Sequence, residues 1–274
     1  MNFKKNTIMV GSQKTFYWEK NPSGKNSLIL LHGFPGGHGG FLKIASKFSD
    51  FHIIIPDLPG CGKSSPLRKR HNLENYTQWL DDFMKAIDLS RAIIIGHSFG
   101  SRVAIFLADH YPERTQKLVL VCPVVSADNI ISKLVLLEYK FAAFLPTCLQ
   151  KKFIFNRIYL FIKNNILFKS VTKKQKAEFI RGQKREIDGL DNKANLEVFN
   201  DLYGKSAILQ GKQIDIPVLV VVGRQDEIAT VRSAEELCKR FSNYQMDLVS
   251  NAGHFLPIEK PLTLASIIMA YLSQ

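Results

Sequence analysis

The segment Gly96-His97-Ser98-Phe99-Gly100 places a serine at the centre of a G-x-S-x-G pattern. The apolar run Ile93-Ile94-Ile95 before it is typical of a buried strand, and Val103-Ala104-Ile105 after it fits a helix. Glycines beside Ser98 leave room for a sharp turn that lifts the hydroxyl above the sheet, close to the helix N-terminus, where negative charge is favoured. A chance glycine-rich turn is the alternative, and the strand and helix around the motif argue against it. Ser98 is therefore predicted to be a nucleophile.

A serine hydroxyl needs a base at neutral pH, and the chain offers His254 late in the sequence. His254 follows Gly253 in a loop after the predicted strand Met246–Val249, so it is expected to reach over the end of the sheet. A surface or helix-capping histidine is the alternative interpretation of His254 taken alone. The position after a strand favours the role of general base.

The base in turn needs an acid that holds its tautomer. Asp226 comes directly after the apolar run that ends at Val222, and it gives the chain order Ser98, Asp226, His254. Glu227 is the adjacent alternative, and Asp128 is a second position from which an acid could be supplied. Asp226 is preferred because it follows a strand directly.

Acyl transfer also requires N–H donors for the developing oxyanion. The glycine-rich stretch His32–Gly37 follows the apolar run Leu28–Leu31, and no G-K-[ST] follows its glycines, so a phosphate loop is not indicated. The backbone N–H groups of Phe34 and Phe99 are predicted to form the oxyanion hole.

Short apolar runs alternate with helix-length segments in both halves of the chain, which predicts a parallel sheet covered by helices. Thr7–Val10 and Thr15–Glu19 are expected to form an antiparallel hairpin at one edge. The strand runs are Leu28–Leu31, His52–Ile55, Ala92–Ile95, Leu118–Val121 and Val218–Val222, and the helix-length segments are His38–Phe48, Asn72–Leu89, Phe99–His110, Val231–Phe241 and Pro261–Leu272.

The alternation stops between Val124 and Gln213, and this length is too great for one loop. We predict a helical insertion at 124–213, interrupting a core formed by 1–123 and 214–274. Amphipathic stretches predict helices over Leu134–Phe144, Phe153–Ile162, Lys173–Arg185 and Ala194–Leu202.

Together these motifs resemble the α/β-hydrolase superfamily, in particular its branch with a helical cap after the sixth strand. The resemblance rests on His32–Gly37, Asp57–Ser64, Gly96–Gly100, Gly223–Asp226 and Gly253-His254. It implies an α/β-hydrolase fold with a mostly parallel eight-stranded sheet, helices on both faces and no cofactor or metal. Haloalkane dehalogenases and epoxide hydrolases look similar but use Asp as the nucleophile, so Ser98 argues against both.

Ring-fission C–C hydrolases and the menaquinone-pathway lyase of this superfamily share the Ser-Asp-His set and remain alternatives. Arg102, one turn into the nucleophile helix, is a candidate for binding a substrate carboxylate as in that lyase-like group. The alternative interpretation of Arg102, without a role in substrate binding, is a solvated or cap-facing ion pair.

The insertion is rich in aromatic and basic residues. Phe141, Phe144 and Tyr159 are predicted to line an acyl or aryl pocket over Ser98, with the lysines on its solvated face. A basic amphipathic cap making weak contact with an anionic membrane is a second interpretation. Nucleic-acid binding is not expected, because no recognisable module is present.

Composition sets the remaining limits. The chain has 274 residues, 46% of them hydrophobic, and a net charge of +13, which suits a soluble globular protein and anionic partners. Its four cysteines are far apart, and no apolar stretch reaches the ~18 residues of a membrane span. We expect a cytoplasmic monomer or homodimer.

The function predicted from the sequence is cleavage of a carboxylic ester of a hydrophobic small molecule through an acyl-enzyme on Ser98. A C–C bond hydrolase or lyase on the same fold is the alternative within enzymes. A non-catalytic ligand-binding protein on this fold is the alternative from another class.

Overall fold

One eight-stranded sheet, in the order β1-β2-β4-β3-β5-β6-β7-β8, forms the centre of the molecule. The computed structural model describes residues 3–125, 129–130, 133–134, 137, 141, 144–145, 149, 168–188, 190–202 and 207–274. β1 and β2 form an antiparallel hairpin, β2 pairs antiparallel with β4, and the other pairings are parallel. The strands are β1 Lys4–Val10, β2 Gln13–Lys20, β3 Ser27–Leu31, β4 His52–Pro56, β5 Ala92–His97, β6 Thr115–Val121, β7 Val218–Gly223 and β8 Tyr244–Val249.

Helices connect the parallel strands, as the alternation predicts. The α-helices whose bounds lie within the described residues are α1 Leu42–Ala45, α2 Leu73–Ala86, α3 Phe99–His110, α4 Lys173–Asp188, α5 Asn192–Leu202, α6 Val231–Cys238, α7 Leu256–Glu259 and α8 Pro261–Leu272. Short 3₁₀ helices cover His38–Phe41, Pro112–Arg114 and Ala207–Leu209.

The central strands are buried on both faces of the sheet. Leu28 to Leu31 in β3 have no exposed surface, and the same is true of Leu219 to Val222 in β7. Because successive side chains of a strand point to opposite faces, continuous burial means that both faces are covered. The predicted eight-stranded, mostly parallel sheet is confirmed.

One predicted helix is shorter than expected. The stretch His38–Phe48 forms a 3₁₀ turn over His38–Phe41 and only four α-helical residues in α1. Gly39 and Gly40 lie in this turn, and each glycine costs about 1 kcal/mol relative to alanine in a helix interior.

The insertion is described in part. The helices expected over Lys173–Arg185 and Ala194–Leu202 correspond to α4 and α5. The helix expected over Phe153–Ile162 lies outside the described residues. The division into a core and an insertion at 124–213 stays a prediction. Among the described residues, no helix combines the length and apolar character that crossing a bilayer requires.

Partly buried polar contacts join α5 and the residue before it to the core. The backbone N–H of His71 donates to the Glu197 carboxylate at 2.8 Å, and His71 Nδ1 lies 3.0 Å from the same oxygen. The N–H of Asp191 donates to the carbonyl of Gly60 at 3.0 Å. These bonds hold α5 and the residue before it against the loop that follows β4.

The turn between β5 and α3 depends on two glycines. A Cβ on Gly96 would lie 2.5 Å from the Gly100 carbonyl oxygen, and a Cβ on Gly100 would lie 2.6 Å from the Leu31 carbonyl carbon. α3 can therefore approach β3 and β5 only because both positions lack a side chain.

We predict that Gly100→Ala lowers the free energy of unfolding by about 3 kcal/mol, because the new methyl group overlaps backbone rather than a side chain that can move. Gly40→Ala is the matched control, since nothing lies within 4 Å of its Cβ position. Urea unfolding of both variants checks this. Equal stability of the two would contradict the close approach of α3 to β3.

Candidate active site

Ser98 occupies the strained turn that the G-x-S-x-G pattern predicts. Its φ and ψ are 53° and −115°, it precedes the first residue of α3, and its N–H donates to the Val121 carbonyl at 3.0 Å. A positive φ at a non-glycine residue is rarely populated and is found at functional sites. The turn leaves Ser98 7% exposed, and its side chain lines a cavity.

His254 joins Ser98 to Asp226 by two hydrogen bonds. His254 Nε2 lies 3.0 Å from Ser98 Oγ, and His254 Nδ1 lies 2.9 Å from Asp226 Oδ2. A carboxylate only accepts, so Nδ1 carries the proton and Nε2 is left to accept the proton of the Ser98 hydroxyl. The structure thus brings together the three residues in the predicted order and contacts.

The second oxygen of Asp226 is held by the backbone. Asp226 Oδ1 accepts from the N–H groups of Ile228 and Ala229, both at 2.8 Å. These donors fix the carboxylate so that its other oxygen faces His254. Of the alternative acids, Asp128 lies outside the described residues, and it is Asp226, not Glu227, that contacts His254. The backbone carbonyl of Glu227 accepts from Asn129 Nδ2 at 2.8 Å.

The predicted oxyanion loop lies directly beside the nucleophile. A Cβ on Gly33 would be 3.1 Å from Ser98 Cβ, so a larger residue would displace the loop. His32 braces the loop, because its Nδ1 donates to the Gly33 carbonyl at 2.7 Å and its Nε2 accepts from the N–H of Leu58 at 3.0 Å. Burial lowers the pKa of His32, which keeps it neutral and able to accept. Phe34 lies within this loop, next to Gly33, and Phe99 is the first residue of α3.

A largely apolar cavity of about 270 Å³ opens above Ser98. One wall is Phe34 with Phe199 of α5, whose ring centroids are 6.0 Å apart. Another wall is Phe255 with Phe179 of α4, at 4.7 Å. The polar lining includes Lys43, Gln175 and Glu178, and Lys43 Nζ is 3.4 Å from Glu178 Oε2.

The aromatic residues predicted to line the pocket are placed differently. Phe141 and Phe144 are 56% and 76% exposed and are not among the residues that line the cavity, which corrects that expectation. Helical spacing alone does not distinguish an inward face from an outward one. Tyr159 lies outside the described residues.

Arg102 is also placed away from the cavity. It is 1% exposed, and its Nη1 donates to the carbonyls of Val124 at 3.1 Å and Val125 at 3.0 Å. Burial lowers its pKa to about 10, partly offset by the charge of Asp201. Arg102 therefore holds the chain where it leaves β6, which corrects the expectation of a contact with a substrate carboxylate.

His97 is a site residue that the sequence patterns did not single out. It lines the cavity, and its Nε2 lies 2.9 Å from the carbonyl oxygen of His254. Burial lowers the pKa of His97 to about 3, and the adjacent His254 adds to this. A neutral His97 donates this bond and so helps to hold the backbone of His254.

One group of potential metal ligands occurs among the described residues. It consists of Cys122, Asp226 and His254, whose ligand atoms lie within 4.8 Å of one another. Burial raises the pKa of the Cys122 thiol well above its usual value, so it stays protonated, whereas a metal requires the thiolate. Asp226 and His254 are bonded to each other. This set therefore does not fit a metal centre.

These features identify the class: the chain belongs to the alpha/beta hydrolase fold family, whose characteristic sequence matches residues 26–261. The family and fold expected from the sequence are thereby confirmed.

Among its relatives, Lipase 3 of Moraxella sp. (strain TA144) is 27% identical over 257 residues, covering 93% of this chain and 80% of the relative. Monoacylglycerol lipase ABHD6 of Homo sapiens is 23% identical over 274 residues, covering 95% of this chain and 79% of the relative. The solved structure of 2-hydroxy-6-oxo-6-phenylhexa-2,4-dienoate hydrolase from Rhodococcus sp. strain RHA1 has a TM-score of 0.79 at 16% identity, covering 100% of this chain and 99% of the other. This structural likeness shows the fold.

We predict that His97 destabilises the protein in acid. Below the ordinary histidine pKa of 6.5 the unfolded chain takes up a proton that folded His97, with a pKa of about 3, does not. Stability is therefore lost as the pH falls from about 6.5 towards 3, and at about pH 4.5 the loss is on the order of 2–3 kcal/mol.

His97→Gln should accordingly lose less stability than the wild type between about pH 7 and about pH 4.5, as measured by urea unfolding at each pH. His110→Gln, at an exposed position in α3, is the control and should follow the wild type. Parallel losses for His97→Gln and the wild type would contradict the buried neutral state.

Proposed function

We propose that this protein is a serine hydrolase that cleaves carboxylic esters of hydrophobic small molecules through an acyl-enzyme on Ser98. The observation that carries the proposal is the contact of Ser98 Oγ with His254 Nε2 at 3.0 Å, at the floor of an apolar cavity. Names of relatives such as Lipase 3 and monoacylglycerol lipase agree with ester cleavage.

In the proposed reaction, Ser98 Oγ attacks the ester carbonyl carbon while His254 Nε2 takes its proton. The tetrahedral oxyanion accepts hydrogen bonds from the N–H groups of Phe34 and Phe99. When the intermediate collapses, the C–O bond breaks and the leaving alcohol takes the proton from His254. Water then attacks the acyl-enzyme in the same manner, which releases the acid and restores Ser98. Asp226 stabilises the imidazolium at each step.

The cavity indicates the size of the substrate. Its volume of about 270 Å³ is below the ~300–1,000 Å³ of most small-molecule pockets. Phe34, Phe179 and Phe199 offer apolar contacts close to Ser98. This favours acyl groups of short to medium length over long chains.

C–C bond hydrolysis or a lyase reaction is the alternative within this fold, since it uses the same three residues. Arg102, the residue that would have suited a carboxylate-bearing substrate, points to backbone carbonyls instead. A dienol-ketone substrate turned over faster than simple esters would favour this alternative. A non-catalytic ligand-binding role would leave Ser98 unreactive towards a fluorophosphonate probe.

The proposal extends to the surface on which the enzyme acts. Five exposed apolar residues in helical conformation recur at intervals of four and three positions, and their exposed fractions lie between 56% and 76%. Positions at this spacing share one face of an α-helix. We call this set the apolar ridge; it consists of Ile130, Leu134, Leu137, Phe141 and Phe144.

Charge favours an anionic lipid surface as the partner of the apolar ridge. The chain carries a net charge of +13, and exposed Lys133 lies within the ridge segment. Apolar side chains flanked by lysines are typical of helices that bind at the interface of anionic membranes. The ridge begins beside the site, because Asn129 donates to the carbonyl of Glu227, next to Asp226. Substrates dissolved in such a surface would be near the cavity.

Replacing the nucleophile tests the proposed reaction. Ser98→Ala should lose at least about 10³-fold in the turnover of p-nitrophenyl butyrate and all labelling by a fluorophosphonate, because no other hydroxyl contacts His254 among the described residues. Exposed Ser266→Ala is the control and should keep both. In the wild type, kcat/KM should be greatest for short to medium acyl chains. An active Ser98→Ala variant would rule the mechanism out.

Charge inserted into the apolar ridge tests the membrane contact. The double variant Leu137→Glu, Phe144→Glu should bind vesicles of phosphatidylglycerol and phosphatidylcholine at least about tenfold more weakly, since each side chain buries apolar area worth roughly 1.5–3 kcal/mol when it inserts. Its turnover of soluble esters should not change. Flotation with vesicles and a soluble-ester assay measure these two properties.

Leu262→Glu, at a residue of α8 that is 62% exposed, is the control for vesicle binding. Wild-type protein should bind neutral vesicles weakly. If the wild type binds no vesicles but forms a dimer that the ridge variant abolishes in sedimentation, a second copy rather than lipid covers the ridge.

A further inference from the structure

Glu259 is a buried carboxylate that joins the His254 loop to the insertion. It is the last residue of α7 and is 4% exposed. Its Oε1 accepts from the N–H of Gly253 at 2.9 Å, and its Oε2 accepts from the N–H groups of Lys169 and Ser170 at 2.9 and 3.1 Å. Oε1 therefore binds the loop at Gly253, which lies 6 positions earlier in the chain. Oε2 binds Lys169 and Ser170, which lie 90 and 89 positions earlier.

This arrangement requires a carboxylate. Both oxygens of Glu259 face N–H donors, and a carboxylate is the side chain that accepts at both atoms without donating. Burying a charge is costly unless hydrogen bonds replace its hydration, and three backbone N–H groups do so here. An amide in this position would have to turn an NH₂ group towards an N–H donor.

The bond between Glu259 Oε1 and Gly253 acts on the candidate base, His254. Gly253 immediately precedes His254, so the bond from Gly253 to Glu259 holds the backbone at the point where the imidazole emerges. The bond between His97 and the His254 carbonyl holds the other side of the same residue. Small displacements of a general base have large effects on the rate of proton transfer.

The bonds between Glu259 Oε2 and the N–H groups of Lys169 and Ser170 act on the cavity wall. Lys169 and Ser170 follow Phe168, whose ring stacks on Phe255 with centroids 4.9 Å apart. Phe168 also contacts Phe179 edge-on at 4.8 Å. Phe255 and Phe179 line the cavity, so the bonds to Glu259 Oε2 set the position of this wall.

We infer that Glu259 is a positioning residue that couples the placement of the His254 imidazole to the placement of the insertion over the cavity. This inference rests on the proposed serine-hydrolase function. A carboxylate on α7 therefore serves both proton transfer and substrate fit without touching the substrate.

Glu259→Gln tests the coupling because it keeps the size of the side chain but changes one acceptor into a donor. We expect kcat to fall at least about tenfold for both acetyl and hexanoyl p-nitrophenyl esters, since the loss arises at His254. KM should rise for the hexanoyl ester and change little for the acetyl ester, since only the longer chain reaches the displaced wall. Rates are expressed per active site titrated to completion with a fluorophosphonate.

Glu259→Asp provides a second variant, because it keeps the charge but is one methylene too short to reach both donor sets. Its kcat should lie between those of the wild type and Glu259→Gln. Asp81→Asn is the matched control for a buried carboxylate outside the site: Asp81 is 1% exposed and accepts from Arg114 Nε at 2.6 Å. It should lower the melting temperature without changing kcat per active site.

The outcomes separate this inference from the proposed function. If the wild type turns over esters and both Glu259 variants keep its kcat and KM per active site, with only a lower melting temperature, Glu259 is merely structural and the inference is overturned. If the wild type neither turns over esters nor reacts with the fluorophosphonate, the proposed function itself fails.

Discussion

The site depends on the parallel pairing of β5, β6, β7 and β8, which brings the carboxyl ends of four strands to one edge of the sheet. Ser98 follows β5, Asp226 follows β7 and His254 follows β8. Ser98 and His254 are 156 positions apart, yet their side chains are 3.0 Å apart. The sheet can hold this register because its central strands are apolar along most of their length and are buried on both faces.

Buried polar groups bonded to the backbone then refine the geometry that the sheet provides. Asp226 is held by two N–H groups, the carbonyl of His254 is bonded to His97, and Glu259 accepts three N–H groups. Each bond restrains a loop next to His254 or Asp226, and the proposed proton transfer depends on their positions to within a fraction of an ångström. His97 and Glu259 make these bonds although neither belongs to the Ser-His-Asp set.

The segment predicted to be an insertion, 124–213, shows how similar apolar residues reach different environments. Phe168, Phe179 and Phe199 face the core and the cavity, whereas Phe141 and Phe144 are exposed. Amphipathic spacing places residues on one face of a helix but does not give the rotation of that face relative to the core. The inward orientation of Phe168 is set by packing against Phe255, and that of Phe199 by packing against Phe34.

Local patterns were sufficient to predict the fold class and the chain order Ser98, Asp226, His254. Buried strands appear in the sequence as continuous apolar runs, and the turn at Ser98 appears as a G-x-S-x-G pattern, and few other structures produce both. The partners of Arg102, the exposure of Phe141 and the contacts of His97 and Glu259 became evident from the folded chain alone. Those properties arise from contacts between residues distant in the chain, and such contacts leave no periodicity or spacing by which a single sequence reveals them.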